Sequence, residues 1–310
     1  MRAVRHTERG IELLELPLPT GPGVRVRVRS SGICGTDLVM TRGGALPFTL
    51  GHEFAGLLDD GSAVAVEPID PCGTCDQCAM GNHQRCRSGP EVFYGIGADG
   101  GLCDEVVVPS RCLYPLPPAL PVADACLAEP TAVALHGLRL AGVQAGQRVA
   151  VVGGGSIGLL AVAGASAAGA DVDLVARHPA QMEAGRRLGA GTPQGNYDLV
   201  VDAAGSASGL ASGVELAHPG GALLLLAVYF DKVPLLGVPL LSKELTVHNA
   251  MAYSHHDGGS DFGRAVELLA ARPEIADTLI TGRFPLDEAA EGFRTAADRA
   301  SGSIKIVLEP

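Results

Sequence analysis

The chain has 310 residues, 34 acidic and 23 basic side chains, a formal net charge of −11 and 47% hydrophobic residues. This length suits about two domains with cores of their own, and the acidic balance argues against a broad nucleic-acid or anionic-membrane surface. Residues 1–20 hold no basic stretch followed by an apolar run, so no targeting signal is read and a cytoplasmic protein is expected.

Residues 2–29 alternate in short bursts and end in Val24-Arg25-Val26-Arg27-Val28-Arg29, where a period of two marks a half-exposed strand. Ser31-Gly32-Ile33-Cys34-Gly35-Thr36-Asp37 follows, and then Gly51-His52-Glu53. A thiolate, an imidazole and a carboxylate are the ligand types of catalytic zinc, which uses three protein ligands and keeps one position open. Alone, Cys34 or His52 would read as a core residue, but their company with flanking glycines points to a site.

Cys72, Cys75, Cys78 and Cys86 form a C-x2-C-x2-C-x7-C cluster. Four thiolates so spaced complete a tetrahedral zinc shell, which is structural because no position is left for substrate. The rivals are an iron–sulfur site or two disulfides. A cytosolic compartment disfavours disulfides, and the spacing is not a ferredoxin pattern. Cys103, Cys112 and Cys126 lack partners in sequence and read as core residues.

The run Val149-Ala150-Val151-Val152, the turn Gly153-Gly154-Gly155-Ser156-Ile157-Gly158 and a small-residue helix to Ala170 make a strand, a glycine turn and a helix start. Gly153, Gly155 and Gly158 fit G-x-G-x-x-G, with Ser156 and Ile157 between them, and amides at a helix N-terminus bind a dinucleotide pyrophosphate. A membrane span is the rival reading, since residues 149–170 carry no charge. Their glycine and serine content and the opening turn argue against it.

Further strands are expected at 172–176, 197–201, 222–228 and 244–249, helices at 179–188, 207–216 and 261–271, and a loop from 228 to 241. Alternating strand and helix implies a doubly wound α/β unit with a parallel sheet. Between Gly189 and Tyr197 the third strand and its crossover helix are nearly absent, because a crossover needs about 10–12 residues. Helix 286–297 and a closing strand 303–308 should rejoin the first domain.

These motifs, with Ala128-Glu129-Pro130-Thr131-Ala132-Val133-Ala134-Leu135-His136, resemble the zinc-containing medium-chain dehydrogenases, and within them the polyol (sorbitol-type) branch. The resemblance covers nearly the whole chain. It implies a GroES-like β-rich catalytic domain at 1–138 and 274–310, carrying the structural zinc lobe, and a Rossmann domain at 139–273 with a shortened third-strand region. The segment between Glu53 and Cys72 is shorter than the family's strand-and-turn excursion.

The resemblance also implies an enzyme that interconverts an alcohol and a ketone, two zinc ions (one catalytic, one structural) and a homodimer or tetramer. Catalytic zinc would take Cys34 and His52. Of two carboxylates, one would ligate directly and the other through water or by exchange. Glu129 occupies the polyol branch's glutamate position and is favoured, while Glu53 could instead be a buried acid paired with a cation. Thr36 would pass the substrate proton, although Val39 replaces the histidine that often continues the relay. Asp37 could orient His52 or cap a turn.

Cofactor choice rests on Ala176, Arg177 and His178 at the end of the second Rossmann strand. NAD enzymes place an acid there, about 20 residues past the glycines. None of the three is acidic, and Arg177 can grip a 2′-phosphate as a planar fork, so NADP is expected over NAD. The expected substrate is a small secondary alcohol, polyol, sugar alcohol or cyclitol, or the matching ketone, with neither nucleic acid nor membrane as partner. The alternatives are an NAD enzyme for another alcohol, and a non-catalytic dinucleotide-binding relative, against which the intact Cys34, His52 and Glu129 speak.

Overall fold

The computed structural model describes residues 1–89, 93–234, 236–256 and 259–310, so position 235 of the expected 228–241 loop lies outside the described residues. The chain divides into two compact units, one of Met1–Glu129, Ser254–Ala276 and Ile280–Pro310, the other of Pro130–Tyr253 and Asp277–Leu279.

The first unit opens with the antiparallel pair Arg2–Thr7 and Gly10–Glu15. Its seven-stranded sheet runs in the order Ile280–Pro285, Lys305–Glu309, Val24–Gly32, Glu53–Leu57, Ala63–Val66 and Leu113–Pro115, with Glu105–Val108 also paired to Val24–Gly32. The expected alternation holds at its start: Val26 and Val28 are fully buried with Phe54, Val64, Val66 and Val108, while the intervening arginines lie outside that cluster. Strands Glu53–Leu57 and Ala63–Val66 are joined by a tight reversal, with the Leu58 amide on the Ser62 carbonyl at 2.9 Å. The short segment after Glu53 therefore closes as a plain hairpin. The closing strand pairs antiparallel with Val24–Gly32, Val307 opposite Gly32, as its return to this domain required.

The second unit holds a five-stranded parallel sheet in the order Thr246–Asn249, Ala217–Leu225, Tyr197–Asp202, Arg148–Val152 and Asp171–Val175. Asp171–Val175 is thus an edge, as expected without a third strand. What remains of that strand is one residue: the Gly191 amide donates to the Val172 carbonyl at 2.8 Å. The uncharged run 149–170 splits into a buried strand, a turn and the helix Ser156–Ala167. Among the described residues no helix is long and apolar enough to cross a membrane.

Several boundaries differ from the expectation. The helix Asp261–Ala271, expected in the Rossmann domain, belongs to the first unit. Phe262, fully buried, lies 4.8 Å from the Tyr114 ring, and the hydroxyls of Ser260 and Tyr114 are 2.8 Å apart. At the other boundary the second unit begins at Pro130 instead of 139. Within the helix Ala128–Leu140, Gly137 packs so close to the sheet that a Cβ there would come within 2.3 Å of the Leu226 side chain. The fifth-strand expectation of 222–228 becomes Ala217–Leu225, because the amides of Leu226 and Ala227 turn back to the Asp202 carbonyl. The expected loop also contains a short helix, Gly237–Ser242.

Candidate active site and metal centres

The four clustered cysteines lie around the short helix Asp76–Ala79 and the turn His83–Arg85. Cys78 Sγ is 3.4 Å from Cys75 Sγ and 3.8 Å from Cys72 Sγ, and the Cys72 amide donates to Cys86 Sγ at 3.3 Å. All four sulfurs lie within 4.8 Å of one another. A tetrahedral shell with zinc–sulfur bonds of about 2.3 Å has edges of about 3.8 Å, so the spacing fits zinc. None of the eight cysteines forms a disulfide. Amide hydrogen bonds, led by that of Thr74, pull the Cys72 thiol down to about 5, which favours the thiolate a metal needs. Cys103, Cys112 and Cys126 are core residues as expected, each 1% exposed and pushed up to about 12 by burial.

The second cluster forms where Val24–Gly32 gives way to the helix Gly35–Met40. Cys34 precedes this helix, and its amide donates to Asp37 Oδ2 at 2.8 Å. The other Asp37 oxygen lies 3.4 Å from His52 Nδ1, so the fully buried Asp37 both caps the turn and faces the imidazole. Burial opposes charge on His52, but Asp37 and then Cys34 outweigh it and raise its pKa well above the ordinary value. Thr36 is half-buried on the first turn of the helix.

Ligand atoms of Cys34, His52 and Glu53 all lie within 4.8 Å of one another. Glu129 does not join that grouping, although it is buried in the same unit and feels the charges of His52, Glu53 and Lys305. Burial, more than any of these charges, pushes its carboxyl up to about 7.

Proximity and chemistry point to different carboxylates. Both Glu53 oxygens accept from Lys305 Nζ, at 2.7 and 2.6 Å, and the third Lys305 donor reaches the Ile33 carbonyl at 3.1 Å. Glu53 is 1% and Lys305 3% exposed. Diverting Glu53 to a metal would strand a buried ammonium, a costly arrangement, which weighs against Glu53 as a direct ligand despite its proximity. Lys305 escaped the reading of the sequence, though a lysine inside Ile304-Lys305-Ile306-Val307-Leu308 was a visible signal for a buried cation.

In the second unit the glycine turn joins Arg148–Val152 to Ser156–Ala167. Gly153 has φ +113°, and a Cβ on Gly158 would lie 1.8 Å from the Gly153 carbonyl oxygen, so turn and close approach both exclude side chains. At exposed Gly155 a Cβ would meet no protein atom within 4 Å. That pattern fits a pyrophosphate cradle, whose middle glycine lets the ligand approach the backbone. Ser156 and Ile157 are half-buried on the first helical turn. Half-buried Ala176 follows Asp171–Val175, and exposed Arg177 reaches Ser208 Oγ at 3.0 Å. His178 sits at the N-terminal end of the helix Pro179–Arg187, with no capping hydrogen bond from its side chain. Asp173 is tied up within the strand, its carboxylate accepting from the Tyr197 hydroxyl at 2.6 Å.

A third group went unnoticed in the sequence. Ligand atoms of Glu67, His83 and His255 also lie within 4.8 Å of one another. Their positions span 188 residues, and no local motif links them.

Residues 21–118 match the alcohol dehydrogenase GroES-like domain. The chain is 32% identical to galactitol 1-phosphate 5-dehydrogenase of Escherichia coli K12, over 93% of this chain and 92% of that protein. It is 27% identical to sorbitol dehydrogenase of Bacillus subtilis, over 99% and 96%. A solved structure of a putative zinc-binding dehydrogenase from Sinorhizobium meliloti, bound to NADP, superposes with a TM-score of 0.87 at 31% identity, covering 100% and 99% of the two chains. With its GroES-like domain, parallel dinucleotide-type sheet and near full-length relatives, this chain belongs to the zinc-containing medium-chain dehydrogenases of the alcohol dehydrogenase superfamily, in their polyol branch.

Proposed function

We propose that this enzyme interconverts a secondary alcohol, of the polyol, sugar-alcohol or cyclitol kind, and its ketone, with NADP(H) as the preferred cofactor. The observation that carries the reading is the gathering of Cys34 and His52 with the buried Glu53, which is neutralised by Lys305, while Glu129 lies buried in the same unit. Cys34, His52 and Glu129 would hold the catalytic zinc, and Cys72, Cys75, Cys78 and Cys86 the structural one. Zinc supplies a Lewis acid for the substrate oxygen, and the nicotinamide supplies the hydride acceptor or donor.

The chain's own residues do the rest. Asp37 Oδ1 faces His52 Nδ1 at 3.4 Å, so Asp37 would orient the ring and leave Nε2 for the metal. Glu53 stays with Lys305 and adds negative charge near the site without leaving a buried cation unpaired. Thr36 Oγ can accept the substrate proton and pass it on, since a hydroxyl both donates and accepts. Gly153, Gly155, Ser156, Ile157 and Gly158 cradle the pyrophosphate. At the strand end Ala176 leaves room where NAD enzymes carry an acid, Arg177 offers its fork to the 2′-phosphate, and His178 adds a donor.

Self-association is part of the same proposal. Thr246–Asn249 is the far edge of the parallel sheet, and Val238, Leu241, Val247 and Met251 are exposed close to it in the chain. An open edge with exposed apolar residues close by in the chain suits pairing with a second copy, which light scattering on the purified protein would show. The function itself is tested by a turnover screen of the zinc-loaded enzyme with NADP and NAD against polyols, cyclitols and their ketones. Absence of turnover on every pair would refute it, and a faster reaction with NAD would refute the cofactor assignment.

A further inference from the structure

The group Glu67, His83 and His255 lies within the first unit and shares no residue with either zinc set. Glu67 follows the strand Ala63–Val66 and is 2% exposed. His83 opens the turn between Cys78 and Cys86, and His255 comes from the segment that returns to this unit. His255 Nε2 lies 3.2 and 3.1 Å from the two Glu67 oxygens. The His83 and His255 rings are 4.1 Å apart between centroids and inclined by 39°.

The surroundings fix these side chains in place. The Tyr114 hydroxyl donates to Glu67 Oε2 at 2.9 Å and lies 2.8 Å from Ser260 Oγ. The His255 amide donates to the Gly81 carbonyl at 2.9 Å. Gly81 has φ +75°, and a Cβ there would come within 2.2 Å of the His255 carbonyl oxygen, so the two backbones meet closely. An ion pair would explain Glu67 with His255, but it gives no role to a second imidazole brought within ligating reach.

We propose that Glu67, His83 and His255 form a third metal site, which takes one divalent transition ion of the zinc or nickel kind and clamps the cysteine lobe to the segment around His255. Two imidazoles and a carboxylate are ligand types that such ions favour, whereas calcium and magnesium prefer oxygen-only shells. Three protein ligands leave a coordination position for water. Tyr114 orients the carboxylate and has the place of an outer partner, the kind whose loss weakens metal binding.

The test is calorimetric titration of the full-length enzyme, already loaded with its tightly held zinc and freed of excess, with Ni2+, Zn2+ and, as a control, Mg2+. One further equivalent of Ni2+ or Zn2+ and none of Mg2+ is expected, with a rise in melting temperature. His255→Gln and His83→Gln should each abolish that equivalent, and Tyr114→Phe should weaken it by about tenfold. Because His83 lies inside the cysteine lobe, His255→Gln carries the test if His83→Gln disturbs the lobe. Cys75→Ser removes a different equivalent, so failure of the lobe assignment is distinguishable from failure of this one. A wild-type enzyme that takes up no further equivalent, or a His255→Gln variant that still takes it up, would overturn the proposal.

Discussion

The pair Glu53 and Lys305 gives the most direct test of how the active site is built. Lys305→Met keeps the aliphatic stem but removes a buried ammonium whose three donors reach both Glu53 oxygens and the Ile33 carbonyl. The remaining carboxylate has little room to move, since it lies over Gly32, where a Cβ would come within 2.2 Å of Glu53 Oε2. Stranding one charge of a buried pair costs about 3–5 kcal/mol. At roughly 2–4 °C per kcal/mol the melting temperature should fall by about 6–20 °C. The double variant Glu53→Leu/Lys305→Met replaces both charges with apolar groups and should recover most of the loss. Urea unfolding of the wild type, both single variants and the double variant gives the coupling energy, and metal analysis of each gives the zinc content. If Glu129 is the ligand, the double variant keeps its catalytic zinc. A Lys305→Met variant within about 1 kcal/mol of wild type, or a double variant that loses the catalytic zinc, would refute the reasoning.

Other expectations follow from the same geometry. Cys75→Ser should lower the zinc content by one equivalent and destabilise the lobe, because an incomplete thiolate shell loses folding energy that the metal supplies; metal analysis with thermal melting checks it. Cys34→Ala should abolish turnover while leaving cofactor binding nearly unchanged, as read by fluorescence titration with reduced cofactor, because the glycine turn belongs to the other unit. Arg177→Ala should weaken NADP by roughly ten- to a hundredfold and leave NAD almost unchanged, from the loss of charge-assisted bonds of about 1.5–3 kcal/mol. The readout is kcat/KM for both cofactors at one ionic strength, and equal weakening of the two would contradict the assignment. At the N-terminus, hydrogen bonds from Arg2 outweigh burial and hold the Asp104 carboxyl below its ordinary value. A depressed carboxyl gives stability that is present above its unfolded pKa and lost as pH falls through the folded one, so Arg2→Met should flatten the acid limb of a stability–pH profile below about pH 4.

Local chemistry made much of this protein legible in its sequence. The helices Ala207–Leu216 and Asp261–Ala271 have the expected limits because Ser206 and Ser260 cap them, each hydroxyl accepting the amide three residues on, at 3.1 and 2.9 Å. Cys34, His52, the four-cysteine cluster and the glycine turn were readable because each is a dense local motif. What escaped depends on long-range packing. The helix Glu274–Leu279 and strand Ile280–Pro285 were not expected, and the strand is defined by pairing with the chain's last strand. The membership of Asp261–Ala271 in the first unit depends on Tyr114, far back in the chain. Lys305 and the Glu67, His83 and His255 group reveal their roles only when distant segments meet.

The missing third strand shows why trimming at the periphery can spare the chemistry. Removing a strand exposes the edge of Asp171–Val175, and an open edge invites pairing with other chains. Here the edge is short, has an exposed aspartate at its start, and is partly covered by Gly191, which hydrogen-bonds to both Val172 and Leu174. A Cβ on Gly191 would come within 2.4 Å of the Asp173 carboxylate, so the covering residue must be small. Asp173 itself is held by the Tyr197 hydroxyl, which also accepts the Gln194 amide at 2.8 Å. The short link from 189 to 196 is therefore fastened by Gly191 at one point and Tyr197 at another, without a strand or helix of its own. The strand still leads into Ala176 and Arg177, directly beyond the covered edge. Tyr197→Phe should consequently loosen this link, seen as faster amide exchange at 191–196, while the position of Arg177 and the ratio of kcat/KM for NADP and NAD remain as they were. A Tyr197→Phe variant that changed the cofactor preference would show that the link sets the geometry of the strand end, and that the deletion reaches further into the cofactor site than the sheet suggests.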